Sequence, residues 1–186
     1  KEVRLVRQMG LVSRLTEYMQ EHGEPAGHAA IGHVRYSTAG SSNLTNAQPL
    51  LIQHKRGPFS IAHNGNLYNA KELRRQLEEM GHIFQSTSDT ETIVHLAARH
   101  PSPSLEEAIK AALHQVKGSY CLTMLSQDRL LVARDPMGIR PLGLGRLDKA
   151  WVVASESCAF DLLGAIYVRD IEPGELLVID DTGCKS

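Results

Sequence analysis

The chain has few cysteines, almost no net charge and no long apolar run, and each absence closes off a class of protein. Cys121, Cys158 and Cys184 form no C-x-x-C pair and lie too far apart for a disulfide framework or a zinc knuckle. The nine histidines include no H-E-x-x-H and no tight cluster, so the sequence offers no metal site. With 20 basic residues against 21 acidic ones the formal charge is −1. The electrostatic footprint of a protein that binds nucleic acid or an anionic membrane is therefore missing. No apolar stretch approaches the roughly 20 residues that span a bilayer. The opening Lys-Glu-Val-Arg lacks the apolar run of a secretory signal, which makes the cytoplasm the expected compartment. A first residue other than Met points to a processed or truncated start.

What is present is ordinary for a globular domain: 186 residues, 42% hydrophobic and 22% charged, enough for one domain with a real core. Apolar periodicity divides the chain into strands, then helices, then strands. Ala29 to Ser37 reads as a strand, as do Pro49 to His54 and Phe59 to His63, the last two joined by a turn at Lys55-Arg56-Gly57-Pro58. Asn69 to Met80 places Ala70, Leu73, Leu77 and Met80 on one helical face. Ser88-Asp89-Thr90-Glu91 has the form of a capping box and opens a helix with Ile93, Leu96 and Ala97 inside. Ser104-Leu105-Glu106-Glu107 repeats that form ahead of Leu105, Ala108, Ile109, Ala112, Leu113 and Val116. The last third is β-rich, with strands at Ser119–Leu125, Arg129–Arg134, Pro141–Leu147 and Trp151–Ser155, a short helix at Cys158–Leu163, and strands at Ile166–Ile171 and Glu175–Ile179 hinged by Pro173-Gly174. Strands that bracket a helical block, with no linker or repeat between them, indicate one α+β domain.

Four segments place polar residues where a plain strand or turn has no need of them. In Gly32-His33-Val34-Arg35-Tyr36-Ser37-Thr38 an arginine sits in a mostly apolar stretch. Its planar fork suits a carboxylate, although a surface ion pair is the plainer reading. In His63-Asn64-Gly65-Asn66-Leu67 the Asn-Gly pair fits a tight hairpin turn, while an amide and a glycine N–H pointing the same way would form an oxyanion hole. In Ser86 to Glu91, Asp89 either serves the helix N-terminus or receives an α-ammonium group. With Arg35 it would then make a two-point clamp on a free amino acid. Ala133 to Leu142 is a structured loop between two strands, with no chemistry assigned by sequence.

Taken in order, GHVRYST, HNGNL, STSDTE, ARDPMGIRPLGLG and ASES resemble the class II glutamine amidotransferase domain of the amidophosphoribosyltransferase family, over about Gly10 to Asp180. Each motif is weak alone; five in one order are specific. Domains of the glucosamine-6-phosphate synthase type differ here, with a tryptophan after the arginine and no RDPMGIRPL. The resemblance implies an N-terminal-nucleophile hydrolase fold: an α+β, αββα sandwich of two antiparallel sheets between helix layers. In such a domain a cysteine exposed at residue one attacks the glutamine carboxamide, with its own α-amine as base. A thioester forms, ammonia leaves, and water releases glutamate. The roles implied are Arg35 for the substrate carboxylate with Thr38 nearby, Asp89 for the substrate ammonium, and Asn64 with Gly65 for the oxyanion hole.

The family's opening Cys-Gly strand and the His-Arg-Gly segment after it have no match here. Residues 1–186 are thus expected to be an incomplete amidotransferase domain, truncated at the N-terminus and unable to hydrolyse glutamine alone. None of the three cysteines can replace one whose own α-amine is the base, and Cys121 and Cys158 are expected to be buried packing residues. The implied partners are glutamine, a phosphoribosyltransferase domain of the same polypeptide beyond Ser186, and further copies in a homo-oligomeric parent enzyme. That enzyme would pass ammonia to phosphoribosyl pyrophosphate in purine synthesis. No cofactor is expected in this chain; the parent's magnesium, and an iron–sulfur cluster where it has one, belong outside it. Leu176 to Gly183 looks like the apolar-Asp-Asp loop of phosphoribosyltransferases, but Cys184-Lys185-Ser186 follows where a Gly-Thr phosphate cradle is needed. It reads as a final strand and polar turn. Two rival readings are another class II amidotransferase, and a nucleophile-free domain that only binds an amino acid or a partner. The coding sequence downstream and upstream, respectively, separates them.

Overall fold

A computed structural model describes residues 2–35 and 43–186. Alternating residues of β1 (Leu50–His54), β2 (Gly57–Leu67), β3 (Gly118–Leu125) and β4 (Leu130–Arg134) build a meander in which every pair is antiparallel. Further along the chain come β5 (Gly143–Leu147), β6 (Ala150–Ala154), β7 (Ile166–Asp170), β8 (Leu176–Asp180) and β9 (Gly183–Lys185). The strands form a six-stranded sheet ordered β1-β2-β3-β4-β8-β9 and a three-stranded sheet ordered β6-β5-β7.

The period of two along β3 and β4 decides what each face buries. Leu122, Met124, Leu131 and Ala133 point to one side, where they meet α2 (Ala70–Glu79), α3 (Thr90–Arg99) and α4 (Leu105–Leu113) through Leu77, Ile93, Leu96, Ala108 and Ile109. Cys121, Val132 and Leu177 point to the other side and meet Leu142 and Leu144 at the small sheet. The outer face of that sheet is covered by α5 (Cys158–Leu163): Phe160 lies over β5 so closely that a Cβ on Gly145 would stand 2.6 Å from its ring. The layers are therefore helices, sheet, sheet, helix, the expected αββα sandwich.

Several expectations need correction. The described part of Ala29–Ser37, residues 29–35, forms no strand; it runs irregularly, with Val34 77% exposed, and apolar pattern alone does not supply a neighbour to pair with. Asn64-Gly65 is not a hairpin turn, because β2 continues to Leu67 in unbroken register with β3. Ser88 to Glu91 is not a capping box: Asp89 precedes α3 without a side-chain cap bond, and Glu91 turns its carboxylate elsewhere. Ser104 does cap α4, its hydroxyl accepting from Glu107 N–H at 3.4 Å. Met80 falls past the end of α2 and is exposed, as is Cys158 at the start of α5, where Phe160 is the buried residue. The sequence pattern does not announce helix α1 (Val12–His22), which buries no residue, or the short β9. The polar turn after β8 is as read, with Asp180 accepting from both the backbone and the hydroxyl of Thr182.

Candidate active site

Strand alternation in β2 places two neighbouring residues in different layers. His63 pairs with Leu122 and faces the helices; Asn64 pairs with Cys121 and faces the small sheet. On the small-sheet side the Asn64 amide nitrogen stands 3.5 Å from Ser155 Oγ, just after β6. Ser155 also borders a hollow of about 310 Å³ lined by Pro141, Gly143, Phe160 and Tyr167 among others.

Gly65 is bare because nothing else fits. A Cβ there would stand 2.1 Å from the Ser119 carbonyl oxygen and 2.6 Å from His63 Nε2. The missing side chain makes room for an imidazole that is itself only 4% exposed. His63 Nδ1 lies 3.1 Å from Thr90 Oγ1 and 3.6 Å from Asp89 Oδ1. Asp89 is further fixed by Leu67 N–H, which donates to Oδ2 at 2.9 Å. Burial alone would raise the Asp89 carboxyl, but the hydrogen bond and charge of His63 and the backbone N–H groups bring it below the usual range. The result is an anionic group held just ahead of α3, beside the end of the strand that carries Asn64 and Gly65.

Glu91 holds the approach to Asp89. Its Oε1 accepts from Gln85 N–H at 2.7 Å, and its Oε2 accepts from Ser86 N–H at 2.8 Å and Ser86 Oγ at 2.6 Å. Burial opposes ionisation, but His95 and these donors outweigh it and lower the carboxyl to about 2. The segment 85–88 is thereby pinned from inside the helix that follows it.

Arg35 is linked to this cluster less directly. His33, two residues before it, lies within electrostatic range of both His63 and Arg35, and burial together with those charges lowers its pKa. Thr38 lies outside the described residues. The structure thus brings Gly65, His63 and Asp89 together, sets Asn64 on the reverse face of the same strand, and places Arg35 on a segment running near them.

The loop between β4 and β5 is organised by two side chains. Asp135, fully buried, accepts from Tyr120, Met137 and Ile139 N–H at 3.2, 3.0 and 3.4 Å. The Arg134 guanidinium donates to the carbonyls of Arg140, Gly138 and Ile171. The loop's role is therefore to tie the two sheets together. Cys121, beside Asn64 across the strand pair, points its thiol at the Arg140 and Pro141 carbonyls, and burial pushes it up to about 11. Burial thus disfavours the thiolate, the reactive form of the side chain. Sequence reasoning missed His63, Glu91 and Ser155; the only signal available was their position inside the motifs HNGNL, STSDTE and ASES.

The family model for the glutamine amidotransferase domain matches residues 33–161, which hold every strand from β1 to β6 and helices α2 to α4. The chain belongs to the glutamine amidotransferase domain family. This amidotransferase domain is 48% identical over 175 residues to amidophosphoribosyltransferase of Bacillus subtilis (strain 168), which covers 92% of the chain and 37% of the relative. It is 45% identical over 183 residues to the enzyme of the same name from Staphylococcus aureus (strain MRSA252), covering 98% of the chain and 37% of the relative. Among solved structures, an allosteric regulatory enzyme of purine biosynthesis superposes on the domain with a TM-score of 0.87 at 47% identity, covering 92% of this chain and 37% of that one. The domain thus spans about 37% of the length of the curated relatives it matches. Among the described residues no helix is long and apolar enough to cross a membrane.

Proposed function

We propose that this domain is the glutaminase unit of an amidophosphoribosyltransferase, releasing ammonia from glutamine for use on phosphoribosyl pyrophosphate in purine synthesis. The observation that carries the reading is Asp89: a carboxylate kept ionised in a partly closed position, one strand end away from Asn64 and Gly65. A free amino acid presents an ammonium, a carboxylate and a side-chain carbonyl. Asp89 suits the first and Arg35, with Thr38, the second. The Asn64 amide and the Gly65 N–H are donors for the oxygen that becomes an anion when the carboxamide is attacked.

The attacking group is a cysteine whose α-amine takes the proton, so it is N-terminal in the active polypeptide. Cys121 is chemically unfit for the role, and Cys158 and Cys184 belong to the α5 and β9 regions. In this reading residues 1–186 bind and polarise glutamine. The rest of the enzyme is a phosphoribosyltransferase domain of the same polypeptide, in a cytoplasmic homo-oligomer. Among the described residues no group of three His, Cys, Asp or Glu side chains is placed to hold a metal ion. In this reading magnesium, and an iron–sulfur cluster where the enzyme has one, belong to the remainder of the polypeptide.

The test is steady-state glutaminase kinetics on the intact gene product. Asn64→Ala should lower kcat by about 10²–10³-fold, because the donor acts on charge that develops only in the transition state. Asp89→Asn should raise KM with little change in kcat, because the ammonium is held alike throughout the reaction. An Asn64→Ala variant that changes only KM would overturn the oxyanion assignment.

A further inference from the structure

We infer that His63 is a positioning residue that aims the Asp89 carboxylate at the substrate ammonium; the inference rests on the proposed glutaminase function. His63 is buried, polar and titratable, and the reaction outlined above makes no use of it. Its surroundings explain why an imidazole is there. Asp89 Oδ2 is taken by the Leu67 N–H, which fixes one oxygen to the end of β2. Besides the Thr90 backbone N–H, the carboxylate meets two side chains at its other oxygen: the Thr90 hydroxyl at 3.4 Å and His63 Nδ1 at 3.6 Å. The hydroxyl is itself held 3.1 Å from Nδ1 and 3.5 Å from the Gln48 amide.

The ring cannot turn. Its other nitrogen stands 3.4 Å from the Ser119 carbonyl, and its backbone N–H donates to Gln48 Oε1 at 2.6 Å. The space its Nε2 occupies exists only because residue 65 has no side chain. Among the described residues His33 is a further titratable neighbour, within electrostatic range of His63 and of Arg35. One rigid ring thus ties the Asp89 oxygen to β3 and to the strand that bears Asn64 and Gly65. The glycine read as an oxyanion donor has a second duty, which is to admit the imidazole.

Two amide substitutions separate aiming from packing, because each mimics one ring nitrogen. His63→Asn places an amide near Nδ1, keeping the Asp89 and Thr90 side and giving up Ser119. His63→Gln places it near Nε2, keeping Ser119 and giving up Asp89. In glutaminase assays on the intact gene product, His63→Gln should raise the KM for glutamine about 10-fold, because the carboxylate that receives the ammonium loses one of its polar neighbours. His63→Asn should stay within about threefold of the unsubstituted protein, and kcat should move little in either. Thermal melts of the two variants control for folding: a purely structural histidine would lower Tm without separating their KM values. Equal KM values in the two variants, or a fall in kcat alone, would overturn the inference. If Asp89→Asn itself leaves KM unchanged, the proposed function fails first; if Asp89→Asn raises KM and His63→Gln does not, only the role of His63 is lost.

Discussion

Glu91→Gln tests the carboxylate that pins the segment leading to Asp89. The side chain of Glu91 is 9% exposed, and its two oxygens receive three short hydrogen bonds from Gln85 and Ser86. An ordinary glutamate titrates near 4.5, and this one is lowered to about 2. At about 1.36 kcal/mol per unit the difference corresponds to ~3 kcal/mol of stability at neutral pH, and discounting for solvent near the loop leaves ~2 kcal/mol. Glutamine keeps one acceptor oxygen but turns an N–H₂ toward donors, so the substitution should remove about that amount. For a domain of this size ~2 kcal/mol lowers Tm by about 4–8 °C. Because the folded carboxyl is depressed, its contribution is complete above the unfolded value near 4.5 and is lost as pH falls through the folded value near 2. Melts of the unsubstituted and Glu91→Gln proteins, followed by circular dichroism, should therefore differ at pH 7, differ less as pH falls below 4.5, and converge only at about pH 2 and below. A deficit that is absent at neutral pH, or equally large in acid, refutes this account.

Three further outcomes follow from contacts already described. Gly65→Ala should cost ~3 kcal/mol or more in urea unfolding and abolish glutamine turnover in the intact gene product, because its Cβ would meet both the Ser119 carbonyl and the His63 ring. A variant as stable as the parent would show that the strand pair yields easily. Asp135→Asn turns an amide toward one of three N–H donors in a site with no exposure, and should cost ~2 kcal/mol by the same measurement. A loss below about 0.5 kcal/mol would mean the loop is held by Arg134 alone. Iodoacetamide should alkylate exposed Cys158 much faster than buried Cys121 in the folded protein, read by peptide mass spectrometry, and labelling of Cys121 at a similar rate would contradict its burial.

How much of this was legible in the sequence depends on whether the deciding contacts are local. Helices α2 and α4 show in the spacing of Ala70, Leu73 and Leu77 and in the Ser104 cap, because a helix is written within its own turn. The strands from Gly118 to Asp180 show in alternation bounded by turn residues. Residues 29–35 have the same alternation and no strand, because pairing depends on a neighbour that a pattern cannot supply. Asn64-Gly65 has the composition of a turn and lies inside β2, where eight residues in register with β3 outweigh the local preference. The acids at 89 and 91 look like helix caps, yet each is spent on a partner outside the helix, Leu67 for one and Gln85 with Ser86 for the other. The site was reached through resemblance, which named Asn64, Gly65 and Asp89 but gave no reason for the histidine between the layers. That reason is a distance, and it appears only once β2 and α3 are folded together.

The placement of His63 and Asn64 on opposite faces of β2 has a consequence for how this chain can vary. Two neighbouring side chains reach two layers from one strand by parity alone, so exchanging a side chain alters one layer, whereas adding or deleting a residue between Gly57 and His63 inverts both. The imidazole would then face the small sheet and the amide the helices, and the vacancy at Gly65 would open onto the wrong neighbour. Length in this stretch is accordingly a stricter requirement than identity. In a library of single-codon insertions selected for glutamine use, positions 57–63 should be depleted, while the turn after Asp180 should accept them.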